Sequence, residues 1–250
     1  GGDDPVNPSK VPAELATSEE AWRRANPALG IRITAEHVAA EQRSMDARTF
    51  AVERLNIGDW PATEDAKSVI DIAAWRALAD PGSTMLDPVA FAFDVSPNRD
   101  WATIAAAGTR PDGQVHVETI DRRRGTGWLV ERMAELQGKH KPSGTWCDER
   151  GPAASLIGDM EDAGVTVQTL STTDYVQACG AIFDAVSNER VRHLGTPELE
   201  AAVRAASKRP LGDAWAWSRK ASGADITPLV AATVALFGHS SGCTPWAGSW

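Results

Sequence analysis

The chain has 250 residues, of which 42% are hydrophobic and 24% charged, so it can form a sizeable core. Its 25 Lys and Arg residues stand against 34 Asp and Glu residues. The resulting formal charge of −9 excludes a simple nucleic-acid coat but leaves room for a local basic groove. The three cysteines, Cys147, Cys179 and Cys243, lie far apart and without metal-ligand spacing. This argues against a structural zinc and a disulfide framework, and it favours a reducing compartment.

The first residues, GGDDPVNPSK, contain no basic region followed by an apolar one, so they do not resemble a signal peptide. The longest apolar stretch, at residues 229–238, is too short to span a bilayer, and we therefore expect no membrane association. The chain starts without Met, and we expect it to be part of a longer polypeptide.

Helical patterns come first in the chain. Thr34 is a predicted N-cap, and apolar residues recur at seven-residue spacing from Val38 to Val52. A second helix is predicted over about residues 67–78, followed by a breaker cluster at residues 80–84. We therefore predict a helical connector over residues 1–85 and a separate domain over residues 86–250.

The pattern then changes to strands. Residues 89–93, 101–108 and 115–120 predict three strands that form an antiparallel meander. Next, predicted strands alternate with predicted helices in the order helix 128–136, strand 144–148, helix 152–163, strand 165–170 and helix 174–187. Such alternation implies parallel crossovers. A hairpin-like segment containing Gly195 and Gly212 precedes a last helix over residues 227–237.

This order of elements is that of the ribonuclease H-like nuclease fold. It predicts a mixed five-stranded sheet, with three antiparallel strands and then parallel strands, flanked by helices and preceded by the N-terminal helical segment. Because one fold hosts many functions, the functional prediction depends on the site.

Three carboxylates stand at meaningful places in this predicted fold. Asp94 ends the first buried strand, Asp148 ends the fourth, and Asp225 lies two residues before the last helix. The first strand and the first parallel strand are neighbours in such a sheet, so we expect Asp94 and Asp148 at one sheet edge. The last helix would bring Asp225 there. Converging carboxylates need hard cations, and we predict two Mg²⁺ or Mn²⁺ ions.

Two further acidic residues are alternatives for this site. Glu149 follows Asp148 and could replace or supplement it. Asp213 rivals Asp225 as the third carboxylate, but its place after Gly212 favours a turn.

Basic residues are concentrated near the predicted site. Residues 190–220 hold seven basic and three acidic side chains, and a basic triplet ends the third predicted strand. Most runs of charged residues are solvent-exposed faces, but here our hypothesis is that these basic residues bind the phosphates of DNA. The DNA-binding candidates are Arg122, Arg123, Arg124, Lys208, Arg209, Arg219 and Lys220.

Three segments carry a resemblance to a known family. FAFDVSPNRDWATIAAAG, TWCDERGPAASLI and DAWAWSRKASGADITPLVAATVALFG contain Asp94, Asp148 and Asp225 in that order. They resemble the C-terminal nuclease half of the large terminase subunit of tailed bacteriophages, the DNA-packaging motor. The pieces NPALG and MDARTFAVERLNIGDWP are similar to the segment that joins the ATPase and nuclease halves of that family.

The resemblance implies a metal-dependent endonuclease that cuts concatemeric viral DNA during genome packaging. It implies Asp94, Asp148 and Asp225 as the catalytic and metal-binding residues. It also implies an ATPase half of the same polypeptide outside this chain, in agreement with the lack of a P-loop sequence here. The expected partners are double-stranded DNA, the portal and the small terminase subunit, and the expected location is the host cytoplasm.

Two other functions remain open from the sequence. A Holliday-junction resolvase or a transposase-like nuclease of the same fold would use a similar set of carboxylates. A module that docks on a portal or capsid would need no metal, because its carboxylates would be ordinary surface groups.

Overall fold

The computed structural model describes residues 16–26, 29–30, 33–45, 47–55 and 68–242. Contacts divide the chain into two units, residues 1–63 and 64–250. The connector boundary near residue 85 stays a prediction, although residues 64–85 fall in the second unit.

The smaller unit contains three described helices, α1 Glu19–Ala25, α2 Ala35–Ser44 and α3 Ala47–Leu55. Thr34 caps α2 as predicted, because its hydroxyl accepts a hydrogen bond from the backbone N–H of His37 at 3.2 Å. The chain leaves the helical conformation at Met45, so the predicted apolar stripe is divided between α2 and α3.

Eight strands are described in the larger unit. They are β1 Leu86–Val95, β2 Trp101–Thr109, β3 Val115–Arg124, β4 Gly144–Asp148, β5 Val167–Leu170, β6 Val191–Arg192, β7 Lys208–Leu211 and β8 Ala214–Trp217. The first six form one sheet in the order β5-β4-β1-β2-β3-β6, and β7 pairs with β8. The antiparallel meander of β1, β2 and β3 and the parallel pairing of β4 and β5 are confirmed.

The described helices of this unit cover both faces of the sheet. They are α4 Ile72–Ala77, α5 Leu129–His140, α6 Ile157–Asp162, α7 Thr172–Ser187, α8 Pro197–Ala205 and α9 Thr227–Gly242, with a 3₁₀ turn at Pro152–Leu156. The buried residues of α4, α7, α8 and α9 belong to one core, and those of α5, α6 and the 3₁₀ turn belong to the other. The fold is therefore a three-layer α/β sandwich.

The structure corrects the prediction in three places. The sheet has six strands rather than five, because the two-residue β6 pairs in parallel with β3; it is too short to give a periodic signal. The segment that begins at Gly195 first forms α8, which starts at Pro197, and only then the β7–β8 hairpin, whose turn contains Gly212. The predicted helix at 67–78 is helical only from Ile72 to Ala77, after an N-cap at Asp71.

Small residues let α9 pack closely on the sheet. Ala92, Ala105 and Ala107 lie on the sheet face that α9 covers. At its far end, Gly238 lies so close to the indole of Trp146 that an added Cβ would come within 2.4 Å of the ring. Within the described ranges, no helix has the length and apolar character needed to cross a membrane.

We predict that Gly238→Ala destabilises the protein by about 1–3 kcal/mol, because the new methyl group must displace the Trp146 ring. Gly180→Ala is the matched control. Gly180 also lies within a helix, α7, but no atom lies within 4 Å of an added Cβ. It should stabilise the protein by about 0.4–1 kcal/mol. Urea denaturation measures both changes, and equal effects would contradict the close helix–sheet contact.

Candidate active site

Asp94 and Asp148 lie next to each other at the ends of two parallel strands. The register of β1 and β4 pairs Ala92 with Trp146, so the residues two positions later reach the same level of the sheet. Asp94 is 1% exposed and Asp148 is 4% exposed. The carboxylate pair that strand order predicted is therefore formed, and it is buried.

The guanidinium of Arg219 lies between these two carboxylates. It donates hydrogen bonds from Nη2 and Nε to the two oxygens of Asp94 at 2.8 and 3.2 Å, and from Nη1 to Oδ2 of Asp148 at 3.1 Å. Its other neighbour is the buried ring of Tyr175, whose centroid lies 5.5 Å from the guanidinium carbon. Glycine at position 151 leaves room for the contact between Arg219 and Asp148, because an added Cβ would lie 3.1 Å from each of these side chains.

Burial controls the ionisation of this group of residues. It raises the pKa of Asp94 to about 6, with a further rise from the charge of Asp148, while Arg219 offsets part of the effect. Burial also acts to lower the pKa of the Arg219 guanidinium. Asp94, Tyr175 and Asp148 more than offset that, so this pKa lies above its ordinary value and Arg219 stays charged.

Asp225 is held by a different arginine. Its Oδ2 accepts hydrogen bonds from Nη2 and Nε of Arg122 at 3.0 and 3.2 Å and from the hydroxyl of Thr227 at 2.8 Å. Thr227 also contacts the hydroxyl of Thr103 at 2.7 Å, and Thr103 pairs with Asp94 in the register of β1 and β2. Asp225 therefore lies on the same face of the sheet as Asp94, but its carboxylate is bound to Arg122 and not to Arg219.

The structure thus brings together two of the three predicted ligands. Among the described residues, no group of three His, Cys, Asp or Glu side chains is close enough to hold a metal ion. Each carboxylate is instead paired with an arginine, Asp94 and Asp148 with Arg219 and Asp225 with Arg122. The shared metal site stays a prediction.

A cleft of about 480 Å³ opens beside these residues. It lies between the turn that joins β1 to β2 and the loop that leads into α9. Its lining residues include Trp101, Arg219, Lys220, Asp225 and Thr227. The cleft gives a substrate access to Asp225 and to Arg219, the cation that covers Asp94 and Asp148.

The basic residues predicted to contact DNA divide into two groups. Arg122 and Arg219 are bound to carboxylates in this structure, which the sequence did not indicate. The others are exposed to solvent: Arg123, which also pairs with Asp121 at 2.9 Å, Arg124, Lys208, Arg209 and Lys220. Arg124 lies over the ring of Trp101 at 5.2 Å, and Lys208 lies over the ring of Trp215 at 4.2 Å.

The two alternative carboxylates lie at the surface. Glu149 is exposed and is 3.6 Å from its neighbour Arg150, and Asp213 is exposed in the turn of the β7–β8 hairpin. Sequence reasoning missed the position of Arg219. The signal that could have found it was the charge requirement of two buried carboxylates, which need a cation.

No family model matches the sequence, and no curated protein matches it. Among solved structures, the chain is similar to the HK97 bacteriophage large terminase, with TM-score 0.55 and 16% identity over 89% of this chain and 54% of that one. A mutant nuclease domain of the Sf6 bacterial virus large terminase subunit, solved with manganese and beta-thujaplicinol, has TM-score 0.53 and 12% identity over 69% of this chain and 98% of that domain.

The fold is that of the phage terminase nuclease domains. It is the ribonuclease H-like fold that the order of elements predicted. At these identities the likeness shows the fold alone, and the chain spans about half of the length of the HK97 terminase.

The Sf6 nuclease domain was solved with manganese, and the donor chemistry of the carboxylates described here suits such a cation, although their present arrangement does not form a metal site. Asp94 and Asp148 offer the oxygen ligands that Mg²⁺ and Mn²⁺ prefer, and the pair already holds a cation in the form of Arg219. Asp225 is on the same face, but its carboxylate is bound to Arg122.

We predict that Asp94→Asn changes the pH dependence of stability in the metal-free protein. The Asp94 carboxyl has a pKa of about 6 when folded, above its value in the unfolded chain, so ionisation destabilises the fold as the pH rises. The free energy of unfolding of Asp94→Asn relative to wild type should therefore increase between about pH 4 and pH 7, by up to about 3 kcal/mol. Urea denaturation in EDTA measures this, and a pH-independent difference would contradict the raised pKa.

Proposed function

We propose that the protein is a metal-dependent DNA endonuclease that cuts concatemeric viral DNA during genome packaging. The observation that carries the proposal is the buried pair of Asp94 and Asp148 at the ends of adjacent parallel strands, in the fold of terminase nuclease domains. The Sf6 nuclease domain was solved with manganese and also with calcium, which supports a divalent cation as the cofactor here.

In this proposal Asp94, Asp148 and Asp225 hold two divalent cations, Mg²⁺ or Mn²⁺. When bound, such cations supply the activation of a water molecule and the stabilisation of the leaving oxygen in phosphodiester hydrolysis. The chain's own residues hold the ligands in place. Backbone pairing of β1 with β4 fixes Asp94 and Asp148, and the hydroxyl of Thr227 orients Asp225.

The exposed basic residues are the proposed contacts to double-stranded DNA. Lys220 lines the cleft, and Arg124 lies over Trp101, which lines it too. Lys208 is paired with Trp217 at the end of the hairpin that leads into the loop of Arg219. These positions support binding through phosphates, which is independent of base sequence.

The proposed partners follow from the proposed packaging role. They are the ATPase half of the same polypeptide, the portal and the small terminase subunit, and the proposed location is the host cytoplasm. A Holliday-junction resolvase would share the carboxylates and is distinguished by its branched substrate. A docking module would need neither a metal nor a nuclease site.

We predict that the protein nicks or cuts supercoiled plasmid with Mn²⁺ or Mg²⁺ and not in EDTA. Asp94→Asn, Asp148→Asn and Asp225→Asn should each lower the cleavage rate by more than the ~10–100-fold that outer-shell partners of a metal typically contribute. Asp213→Asn makes the same chemical change at an exposed turn and should leave the rate unchanged. Absence of cleavage under all conditions would instead support the docking module.

We further predict that DNA binding weakens steeply as salt rises. Replacing Arg124 and Lys220 together by Gln should lower the slope of log affinity against log salt by about 2, because two phosphate contacts are lost. Replacing Arg23 and Arg24 by Gln removes the same charge from α1, where both arginines pair with glutamates. Fluorescence anisotropy with a labelled duplex measures the slopes, and equal slopes for the two double variants would count against the cleft as the binding surface.

A further inference from the structure

Arg219 occupies a binding site built around its guanidinium. All three of its nitrogens donate to carboxylate oxygens, and the ring of Tyr175 lies beside it. The side chain is 12% exposed and the carboxylates 1% and 5%, so water contributes little to neutralising them. The negative charge of each carboxylate in this pair is therefore stabilised mainly by Arg219.

The hydrogen bonds use the oxygens that a metal would need. Arg219 contacts both oxygens of Asp94, and it contacts Oδ2 of Asp148, while Oδ1 of Asp148 accepts from the backbone N–H of Arg150 at 3.1 Å. A divalent cation on the same oxygens would also lie directly beside a positive guanidinium. The two cations therefore compete for one site, both for ligands and by charge repulsion.

The backbone that carries Arg219 is fixed. Ser218 donates its N–H to the carbonyl of Ser207 at 2.8 Å, and Gly223 donates to the carbonyl of Ala205 at 3.1 Å, so both ends of the turn are anchored. Exchange of the guanidinium for a metal thus requires only that the long side chain of Arg219 rotates toward the adjoining cleft, which it already lines.

We propose that Arg219 is an internal counter-ion that occupies the metal site and is displaced when a divalent cation binds. This inference rests on the proposed function and concerns the regulation of the same site. Its consequence is that metal affinity is lower than the carboxylates alone would give, because each binding event must first break three hydrogen bonds. The stability of the metal-free protein and its metal affinity are therefore coupled through one side chain.

Calorimetric titration of the purified chain with Mn²⁺ alone tests the proposal. Arg219→Gln should bind Mn²⁺ about tenfold more tightly than wild type, a typical size for such coupling. In EDTA its melting temperature should be lower than that of wild type, and Mn²⁺ should raise it by more than it raises that of wild type. Lys139→Gln removes the same charge from an exposed residue of α5, which packs on the other face of the sheet. It should change the Kd by less than about threefold, because solvent screens an exposed charge.

A second variant covers the case in which Arg219→Gln does not fold without metal. Arg219→Lys keeps the positive charge, but its single ammonium group cannot reproduce the planar hydrogen bonds of the guanidinium to both carboxylates. A metal should displace it more easily, so its Mn²⁺ affinity should lie between those of wild type and Arg219→Gln. Unchanged or weaker Mn²⁺ binding in the folded Arg219 variants would overturn the proposal, and so would equal effects of Arg219→Gln and Lys139→Gln. If neither wild type nor any Arg219 variant binds Mn²⁺, the proposed metal-dependent function fails as well.

Discussion

Two carboxylates buried side by side need a cation, and the surroundings of Asp94 and Asp148 are arranged to supply one. Burial without a partner would protonate them or unfold the site, because the free-energy cost of an isolated buried charge is several kcal/mol. Arg219 meets that need with three hydrogen bonds, and its turn is anchored to the last residue of α8 and to Ser207 just after that helix. The hairpin β7–β8, which precedes this turn, is thereby tied to the central sheet although it belongs to a separate one.

The position of α9 follows from packing at both of its ends. At the start, the hydroxyl of Thr227 contacts that of Thr103 on β2, and at the end Nε2 of His239 lies 2.9 Å from the hydroxyl of Thr109 on the same strand. The alanines of the sheet and Gly238 allow the helix to lie close between these points. Asp225 precedes this helix by two residues, so the packing of a largely apolar helix decides where a carboxylate stands at the edge of the cleft.

The sequence predicted the carboxylate pair because strand ends and strand order are readable from local patterns. The run before Asp94 and the short strand before Asp148 are apolar, and parallel crossovers make the two strands neighbours. β6 was missed because two residues carry no period, and it forms only because β3 offers a free edge. The direction of the Arg219 side chain was also missed. A loop residue has no periodicity, and its contacts depend on which buried charges the fold brings near it.

The pairing of Arg219 and Arg122 with carboxylates also lowers the net negative charge beside the cleft. The chain carries a formal charge of −9, and in the proposed nuclease the three carboxylates beside the cleft would repel DNA further. With Arg219 on Asp94 and Asp148, and Arg122 on Asp225, the local charge is reduced to about one negative unit before any metal binds. Lys220 and Asp100 line the cleft, and Arg124 lies over the ring of Trp101, which lines it too. Internal ion pairs thus reduce the negative charge that the three carboxylates would otherwise present beside the cleft.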